Sequence, residues 1–214
     1  MDLDLLYRIN QVWQTGWLDQ LMPAMSALNA WIPLFAIVAV AVAIWGGFRG
    51  RACLVVLAVT IAIGDGVIAR TLKKATDRPR PHQVVYGLTV RDIARGEPAA
   101  IAAFREPREK PSQPKRFYQE GRAFPSAHVV NVFAAATVAV MFFGRRWWWL
   151  YLPAAAVAYS RVYVGSHWPS DILPSVAIGL LCGTFIPLAA DALWRKLGHR
   201  LSIRLARLHP TLFP

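Results

Sequence analysis

Cysteine and carboxylate side chains are both scarce in this 214-residue sequence. The two cysteines, Cys53 and Cys182, fall inside apolar runs. A disulfide or a metal-binding cysteine pair is therefore not expected, and both residues are interpreted as small buried hydrophobes. Aspartate and glutamate number 12 against 24 lysines and arginines, which gives a formal net charge of +12. The sequence also has no internal repeat and no low-complexity tract.

Apolar residues, in contrast, are abundant. They make up 56% of the chain, and the mean hydropathy is +0.36, which is high for a soluble globular protein. In a soluble protein the positive charge would indicate nucleic acid. Beside these apolar runs it favours anionic lipid or an anionic substrate instead. We therefore expect membrane lipids as surroundings, no nucleic-acid partner and no obligate protein partner.

Five segments are long enough to cross a bilayer, which requires about 20 apolar residues. The predicted spans are residues 31–48, 52–72, 126–143, 147–165 and 172–193. Residues 1–29 carry a partial apolar stripe beside acidic residues, which is typical of an amphipathic interfacial helix; a weak first span is the alternative. The predicted fold is an all-α, polytopic membrane helical bundle of five to six transmembrane helices, forming a single domain over residues 1–214.

Basic residues in the short loops predict the orientation. Arg49 and Arg51 precede the second span, Arg145 and Arg146 follow the third, and five lysines or arginines follow the last. All three sites fall on one face, and basic short loops favour the cytoplasm. The acidic N-terminus lacks a positively charged n-region, so no cleavable signal is expected. We predict a bacterial inner-membrane protein with a cytoplasmic C-terminus and an active site facing the periplasm or exterior.

In this orientation residues 73–125 form a long extracytoplasmic loop, and the positive charge of that loop argues against the orientation. Twelve lysines or arginines lie between Lys73 and Arg122, although long loops are weaker topology signals than short ones. Residues 91–104 have the pattern of a short amphipathic helix, and residues 106–119 are charged and rich in proline and lysine. Two interpretations stay open: a cap at the membrane surface that shapes substrate entry, or a solvated linker.

Three short basic segments at the ends of apolar runs carry cations suited to a phosphoryl group. The first contains Lys73 and Arg80, and the third contains Arg161. Arginine offers a planar fork for two phosphate oxygens, whereas lysine acts as a point charge. Alone, Lys73 and Arg80 would be interpreted as cations that snorkel to the membrane interface. Together with the other segments they favour phosphate binding.

Histidines accompany these cations. Ser126 is placed to begin a helix, and we expect it both to cap that helix and to bind phosphate. His128 would stand beside the site as a proton donor. His167 and Asp171 are four residues apart and would share one helix face, so the carboxylate could fix the imidazole tautomer. An imidazole that attacks phosphorus forms a phosphohistidine.

The three segments together resemble the type-2 phosphatidic acid phosphatase superfamily of integral membrane phosphatases. The family pattern is Lys, six residues, Arg-Pro; then Pro-Ser-Gly-His; then Ser-Arg, five residues, His, three residues, Asp. Lys73 to Pro81 matches the first part and Ser160 to Asp171 matches the third. The second part departs at Ala127, which replaces glycine; the backbone N–H is kept, whereas a glycine-only backbone angle is not.

The resemblance implies roles for these residues. His167 is the implied nucleophile, Asp171 orients it, and His128 protonates the leaving oxygen and then activates water. The residues implied to hold the phosphate are Lys73, Arg80, Ser126, Ala127 through its amide, and Arg161. No metal and no cofactor are expected, because a hydrolytic metal site would want further carboxylates or histidines near the motifs, where only Asp77 and His82 occur.

The substrate class follows from the resemblance less directly. Small members with an outward-facing site include phosphatases of undecaprenyl diphosphate, phosphatidylglycerophosphate and lipid A. We rank hydrolysis of undecaprenyl diphosphate to undecaprenyl phosphate first, with phosphatidylglycerophosphate, phosphatidic acid or lipid A as alternatives. A lipid-to-lipid phosphotransferase and a non-catalytic phospholipid carrier are the competing classes. The two histidines and Asp171 argue against a carrier, because binding alone needs only cations.

Overall fold

The computed structural model describes residues 1–95, 98–114 and 122–214. Most of these residues are helical, and the small remainder includes one pair of strands. The helices are α1 (Asp2–Tyr7), α2 (Gly16–Ser26), α3 (Ile32–Trp45), α4 (Gly47–Ile63), α5 (Arg70–Thr76), α6 (Pro81–Val84), α7 (Ala99–Ala102), α8 (Ala127–Phe143), α9 (Tyr151–Tyr163), α10 (Pro169–Leu201) and α11 (Ile203–Leu208). Strands β1 (Thr89–Asp92) and β2 (Arg108–Pro111) pair antiparallel.

Short π-helical and 3-10 segments connect some of these helices. The π segments are Arg8–Val12 and Gly64–Ala69, and the 3-10 segments are Leu28–Trp31 and Arg145–Leu150. The segment Gly64–Ala69 continues directly from α4 into α5, so the chain from Gly47 to Thr76 is helical without interruption. One long helical rod therefore joins the basic Arg49–Arg51 end to the Lys73 end.

Three of the described helical stretches are long and apolar enough to cross a membrane. They are Leu28–Trp45, Gly47–Val84 and Pro169–Leu201, while Ala127–Phe143 is apolar but shorter. These four overlap the predicted spans 31–48, 52–72, 172–193 and 126–143. The predicted span 147–165 is divided between the 3-10 segment Arg145–Leu150 and α9. A membrane helical architecture is thus confirmed, while the number of crossings stays a prediction.

Helix α3 has the surface of a lipid-facing span. None of its residues is buried, and the exposed fractions of Ile37 and Val40 are 67% and 57%. A helix that is apolar on all sides is stable in lipid, where no polar face is required. Because α3 has no polar stripe, its sequence indicates that lipid surrounds this helix.

Helices α8 and α10 meet with their backbones in close contact. A Cβ atom built on Gly179 would lie 2.7 Å from the carbonyl oxygen of Val130, and one built on Gly183 would lie 2.7 Å from that of Ala134. Any larger side chain at either glycine would push the helices apart. Small residues four apart allow this approach in membrane helices. The contact fixes the starts of α8 and α10 relative to each other.

The N-terminal residues form two helices rather than the single amphipathic helix predicted for residues 1–29. The break falls at Thr15, whose backbone is extended and which acts as the cap residue of α2. Asn10 is fully buried, and its Nδ2 donates to the carbonyl oxygens of Thr89 at 2.9 Å and Tyr163 at 2.6 Å. The N-terminal segment is thereby attached to β1 and α9.

The described part of the 73–125 loop is packed. The helix predicted for residues 91–104 is wrong at its start, because Arg91 lies in β1 opposite Glu109, and only α7 is helical. Arg91 is buried, and its Nε lies 2.7 Å from Glu109 Oε1 and 3.0 Å from Asp19 Oδ1. A buried cation paired in this way indicates a packed cap rather than a solvated linker. Residues 115–119 of the charged segment lie outside the described residues.

Candidate active site

The first basic segment turns sharply between its two cations. Helix α5 carries Lys73 and ends at Thr76, after which Asp77 adopts a left-handed backbone with φ of 38°. Aspartate tolerates this conformation better than most residues. The chain then reaches Arg80, the cap residue of α6. Both Lys73 and Arg80 are partly buried and lie within electrostatic reach of Arg161.

The third segment also folds back on itself. Gly165 has φ of 74°, a left-handed conformation that favours glycine. This turn lets the carbonyl oxygen of Arg161 accept the N–H groups of Ser166 and His167, each at 3.1 Å. The carbonyl oxygen of Gly165 lies 3.0 Å from Nδ1 of His82, which follows Arg80-Pro81 in the first segment. His82 therefore joins two of the three segments.

Asp171 lies in the first turn of α10 and is fully buried. Its Oδ1 accepts a hydrogen bond from Nη1 of Arg78 at 2.6 Å, and its Oδ2 accepts the N–H of Trp168 at 3.0 Å. Oδ2 also lies 3.7 Å from Nδ1 of His167. The prediction that His167 and Asp171 share a helix face is wrong, because α10 begins at Pro169 and His167 precedes it. The carboxylate of Asp171 instead extends back past the first residues of α10 toward His167.

His167 is an imidazole held neutral. It is 3% exposed, and its Nδ1 has no hydrogen-bond partner among the described residues. The pKa of His167 is lowered to about 4, chiefly by burial and further by the charges of Arg161 and Arg80, while Asp171 raises it. Burial disfavours the charged imidazolium. At neutral pH the ring therefore keeps a lone pair that can attack phosphorus.

The second segment places Ser126 at the start of α8. Its backbone N–H donates to Oγ of Ser175 at 2.9 Å, and that hydroxyl donates to the carbonyl oxygen of Asp171 at 2.6 Å. The Oγ of Ser126 is buried and has no partner among the described residues, so the expected capping bond is not formed. A buried hydroxyl without a partner is uncommon. The amides of the first turn of α8, beginning with Ala127, are the ones a helix start leaves unpaired.

Arg161 and His128 lie where the three segments meet. Nη1 of the buried Arg161 donates to the carbonyl oxygen of Ser26 at 3.2 Å and also to its hydroxyl, while Nε has no partner among the described residues. His128 is within electrostatic reach of Lys73, Arg80, Arg161 and His167. The cations Lys73, Arg80 and Arg161 and the imidazoles of His128 and His167, which the sequence analysis assigned to a phosphate site, therefore lie in one region.

Sequence reasoning missed the residues that support this region. Arg78 lies inside the first segment, and its Nη2 lies 2.8 Å from Oδ2 of Asp2. Asp2 also accepts the N–H of Ser170 at 3.0 Å and its hydroxyl at 2.6 Å. Ser26 holds Arg161 from α2. These partners are distant in sequence, so no local sequence pattern predicts the contacts. In the described part of the chain, no three His, Cys, Asp or Glu side chains are grouped to bind a metal.

The family of the chain follows from its sequence profile. The profile of the PAP2 superfamily matches residues 50–195, which is more than half of the chain. The chain therefore belongs to the PAP2 superfamily. This confirms the resemblance drawn from the three motif segments.

Several named relatives are similar to parts or nearly all of the chain. A 92-residue match, 38% identical, covers 42% of this chain and 44% of the Escherichia coli K12 protein named "Putative undecaprenyl-diphosphatase YbjG". A second match, 35% identical, covers 30% of a Porphyromonas gingivalis lipid A 4'-phosphatase, so the chain spans less than half of either relative. A lipid A 4'-phosphatase of Bacteroides thetaiotaomicron is 24% identical over 213 residues, covering 96% of this chain and 80% of that protein.

Two solved structures share the fold. Aquifex aeolicus LpxE superposes with a TM-score of 0.62 and 22% identity, covering 86% of this chain and 93% of that one. A transmembrane PAP2-type phosphatidylglycerolphosphate phosphatase from Bacillus subtilis gives a TM-score of 0.54 and 19% identity, covering 87% and 83%. At these identities the likeness establishes the fold alone.

Proposed function

We propose that this chain hydrolyses a lipid diphosphate, with undecaprenyl diphosphate ranked first, to the lipid monophosphate and inorganic phosphate. The observation that carries the proposal is the meeting of three sequence-distant segments around His167. Its neutral imidazole lies 3.7 Å from a buried carboxylate and within electrostatic reach of the cations Arg80 and Arg161. Such an arrangement combines a nucleophile with electrostatic stabilisation of a phosphoryl group.

The proposed reaction has two steps. Because Nδ1 of His167 faces Asp171, Nε2 attacks the distal phosphorus, and the bond from phosphorus to the bridging oxygen breaks. His128 gives its proton to that oxygen, and the lipid monophosphate leaves. His128 then removes a proton from water, which attacks the phosphohistidine, and inorganic phosphate is released with the imidazole restored. Asp171 stabilises the positive charge on His167 during the first step.

The phosphate would be held from several directions. Cations and amides are ordered around it before substrate arrives, so little reorganisation is needed during reaction. The buried Oγ of Ser126 and the buried Nε of Arg161 both lack partners among the described residues, and a phosphate oxygen would supply one for each. The proposed phosphate-binding residues are Lys73, Arg80, Ser126, Ala127 through its amide, and Arg161.

An apolar groove supports a lipid as the substrate. It has a volume of about 390 Å³ and is bounded by α8, α9 and the N-terminal helices. Val132 on its wall is four residues after His128, and Val157 is four residues before Arg161, so the groove begins one helical turn from the site. Met25, beside the Ser26 that holds Arg161, completes this end. An isoprenoid or acyl chain of the bound lipid would fit here.

Filling the groove is expected to separate lipid substrates by chain length. Ala135→Phe places a bulky ring in the groove, so KM for a long-chain lipid phosphate should rise about tenfold, while a short-chain, water-soluble phosphate should change by less than about threefold. Michaelis–Menten kinetics on both substrates provide the measurement. Ala139→Phe, one turn further along α8 and outside the groove, is the matched control. Equal losses on both substrates would contradict this path for the chain.

The orientation is also a proposal. The cationic loops and the site residues lie at opposite ends of the same helices: Arg49 and Lys73 at the two ends of one rod, Arg145 and Ser126 at the two ends of α8. Arg49 donates to the carbonyl oxygen of Phe213 at 3.2 Å, which brings the C-terminus to the basic end. We infer a single domain over residues 1–214, crossing the inner membrane five to six times, with the site outside and the C-terminus in the cytoplasm.

A phosphorylated saccharolipid is the second candidate substrate. The Bacteroides thetaiotaomicron relative that matches nearly all of this chain is named a lipid A 4'-phosphatase. The packed cap of β1 and β2, with its basic residues beside the site, would suit a sugar headgroup as well as a diphosphate. The undecaprenyl diphosphate proposal is supported by the higher identity of the Escherichia coli relative over the part that aligns.

Phosphate release from a lipid panel tests the proposed function. Purified protein in nonionic detergent should release phosphate fastest from undecaprenyl diphosphate, compared with phosphatidylglycerophosphate, phosphatidic acid and lipid A. EDTA should leave the rate unchanged, because each proposed step uses side chains and water. If phosphate is released faster from lipid A, lipid A would take the place of undecaprenyl diphosphate as the proposed substrate. Transfer of labelled phosphate to a second lipid, or binding without cleavage, would contradict hydrolysis.

A further inference from the structure

A second cationic cavity is lined in part by Lys73 and Arg80. It has a volume of about 340 Å³, which is ample for a phosphoryl group. Its lining residues are Asp65, Arg70, Lys73, Lys74, Arg80 and Arg122. Lys73 and Arg80 belong to the proposed phosphate site, so the two regions share a wall. Arg70, Lys74 and Arg122 belong to no motif used so far.

The secondary structure explains this concentration of charge. Helix α5 starts at Arg70, so Arg70 and Lys74 lie one turn apart on the same face, with Lys73 next to them. Arg80, which follows the turn at Asp77, and Arg122 line the same cavity. Like charges so close on one helix are destabilising. Their grouping therefore needs a physical reason beyond helix formation.

Cations predominate in the lining of this cavity. Five of its six lining residues are cationic, and Asp65 is its single carboxylate. Asp65 attracts Lys73, whereas Arg80 and Arg122 repel it. Within residues 1–95, 98–114 and 122–214, neither Arg70 nor Lys74 has a carboxylate oxygen within 4.0 Å. A cavity with such an excess of positive charge favours an anion.

We propose that Arg70 and Lys74 form a second anion subsite, which binds the proximal phosphate of a lipid diphosphate while the distal phosphate lies against His167. The inference rests on the proposed function and extends it to the substrate class. When the bridging bond breaks, the shared electron pair stays on the oxygen of the proximal phosphate, and the proton from His128 neutralises it in part. Cations at that phosphate stabilise the developing charge and lower the barrier.

A monophosphate lipid has no group to place in this subsite. The subsite therefore predicts selectivity rather than a general gain in activity. Each lost charge-assisted contact should cost about tenfold in kcat/KM, so Arg70→Gln/Lys74→Gln should lose about 100-fold on a lipid diphosphate. On the matching lipid monophosphate the same variant should lose less than about threefold, because only long-range attraction is removed.

The experiment compares kcat/KM on undecaprenyl diphosphate and undecaprenyl phosphate in nonionic detergent without anionic lipid. Arg200→Gln/Arg204→Gln removes the same charge from an exposed region at the opposite end of α10 and is the matched control. Inorganic pyrophosphate should also inhibit the hydrolysis of a soluble monophosphate more strongly than inorganic phosphate does, and this difference should disappear in Arg70→Gln/Lys74→Gln. Chromatographic homogeneity of each variant reports folding.

The outcomes separate the subsite from the proposed function. A loss confined to diphosphates, with the control unchanged, supports the subsite. Equal losses on both lipids would overturn it and indicate general attraction of anions. A loss seen only after anionic lipid is added would also overturn it, because the cations would then bind membrane headgroups. If the unsubstituted protein cleaves monophosphates in a His167-dependent manner but no diphosphate, the subsite fails and lipid phosphatase activity stands.

Discussion

His167→Ala is expected to reduce phosphate release from the preferred lipid by at least about 10⁴-fold, because it removes the proposed nucleophile. Substrate binding should largely persist, since the cations that hold the phosphate remain in place. His167→Gln keeps more of the side-chain volume in this buried position and should be equally inactive. Single-turnover assays with labelled lipid, carried out with excess protein, measure the loss directly.

The control for this prediction is another histidine of the same chain. His199→Ala changes an exposed histidine near the other end of α10 and should leave turnover within about twofold. The unsubstituted protein should also acquire acid-labile label from the phosphate, and His167→Ala should acquire none. Retention of more than a tenth of the activity by His167→Ala would show that another group attacks phosphorus.

Asp171→Asn has the second largest expected effect, a loss of about 10³-fold in kcat/KM. The carboxylate is fully buried and bonded to Arg78 at 2.6 Å, so its charge acts on His167 in a poorly screened environment. An amide can neither stabilise the positive imidazole formed in the first step nor fix its tautomer equally well. Among the described residues, it would also leave Asp2 as the remaining carboxylate partner of Arg78.

The pH dependence distinguishes loss of charge from loss of structure. Protonation of His167 removes the nucleophile, so kcat/KM should decrease on the acid side of the pH profile. The midpoint of this acid limb should lie near pH 4, because burial lowers the pKa of His167 to about 4. Asp171 raises that pKa, so the limb of Asp171→Asn should move to still lower pH. Titration of the substrate is common to both proteins, and the ratio of their profiles cancels it. An upward shift would contradict the assigned role of Asp171.

Asp191→Asn is the matched control for this variant. Asp191 is also buried on α10, and its Oδ2 accepts a hydrogen bond from Nε of Arg195 at 2.7 Å, far from the site. Loss of that pair should lower thermal stability but leave kcat/KM and its pH profile nearly unchanged. If both variants lose the same activity, the effect of Asp171→Asn is one of folding.

The helical core could be predicted from sequence because lipid imposes a simple rule. Long apolar runs with few charges must be helical in lipid, since every backbone group has to be satisfied within the segment. Residues 31–48, 52–72 and 172–193 follow that rule, and the structure has helices there. The span predicted at 147–165 begins too early, because Trp147 to Leu150 belong to the 3-10 segment Arg145–Leu150.

The grouping of the candidate site residues was predictable for a different reason. Motif spacing fixes which cations and imidazoles come together, and Lys73, His128 and His167 do lie in one region. The supporting contacts were not predictable, because they join residues far apart in the chain. Ser26 holds Arg161 from 135 positions away, and Asp2 holds Arg78 from 76. No local periodicity encodes such pairs.

The cap shows where periodicity misleads. Residues 91–104 have apolar positions compatible with a helix, yet Arg91 pairs with Glu109 across two strands. A short strand is stabilised by its partner, which single-segment patterns do not include. The same holds for residues 1–29, where the buried Asn10 is explained by carbonyl groups of β1 and α9 rather than by its own helix.

The glycine contact between α8 and α10 has a mechanical consequence. Bilayers differ in thickness, and helices adjust to them by tilting. Because the backbones touch at Gly179 and Gly183, α8 and α10 must tilt together as one body. The distance between His128 and Asp171 should then stay the same when the bilayer thickness changes. Helix α3 has no buried residue, so its tilt can change independently. A change in membrane composition should therefore alter how fast substrate arrives rather than how fast the phosphorus–oxygen bond breaks.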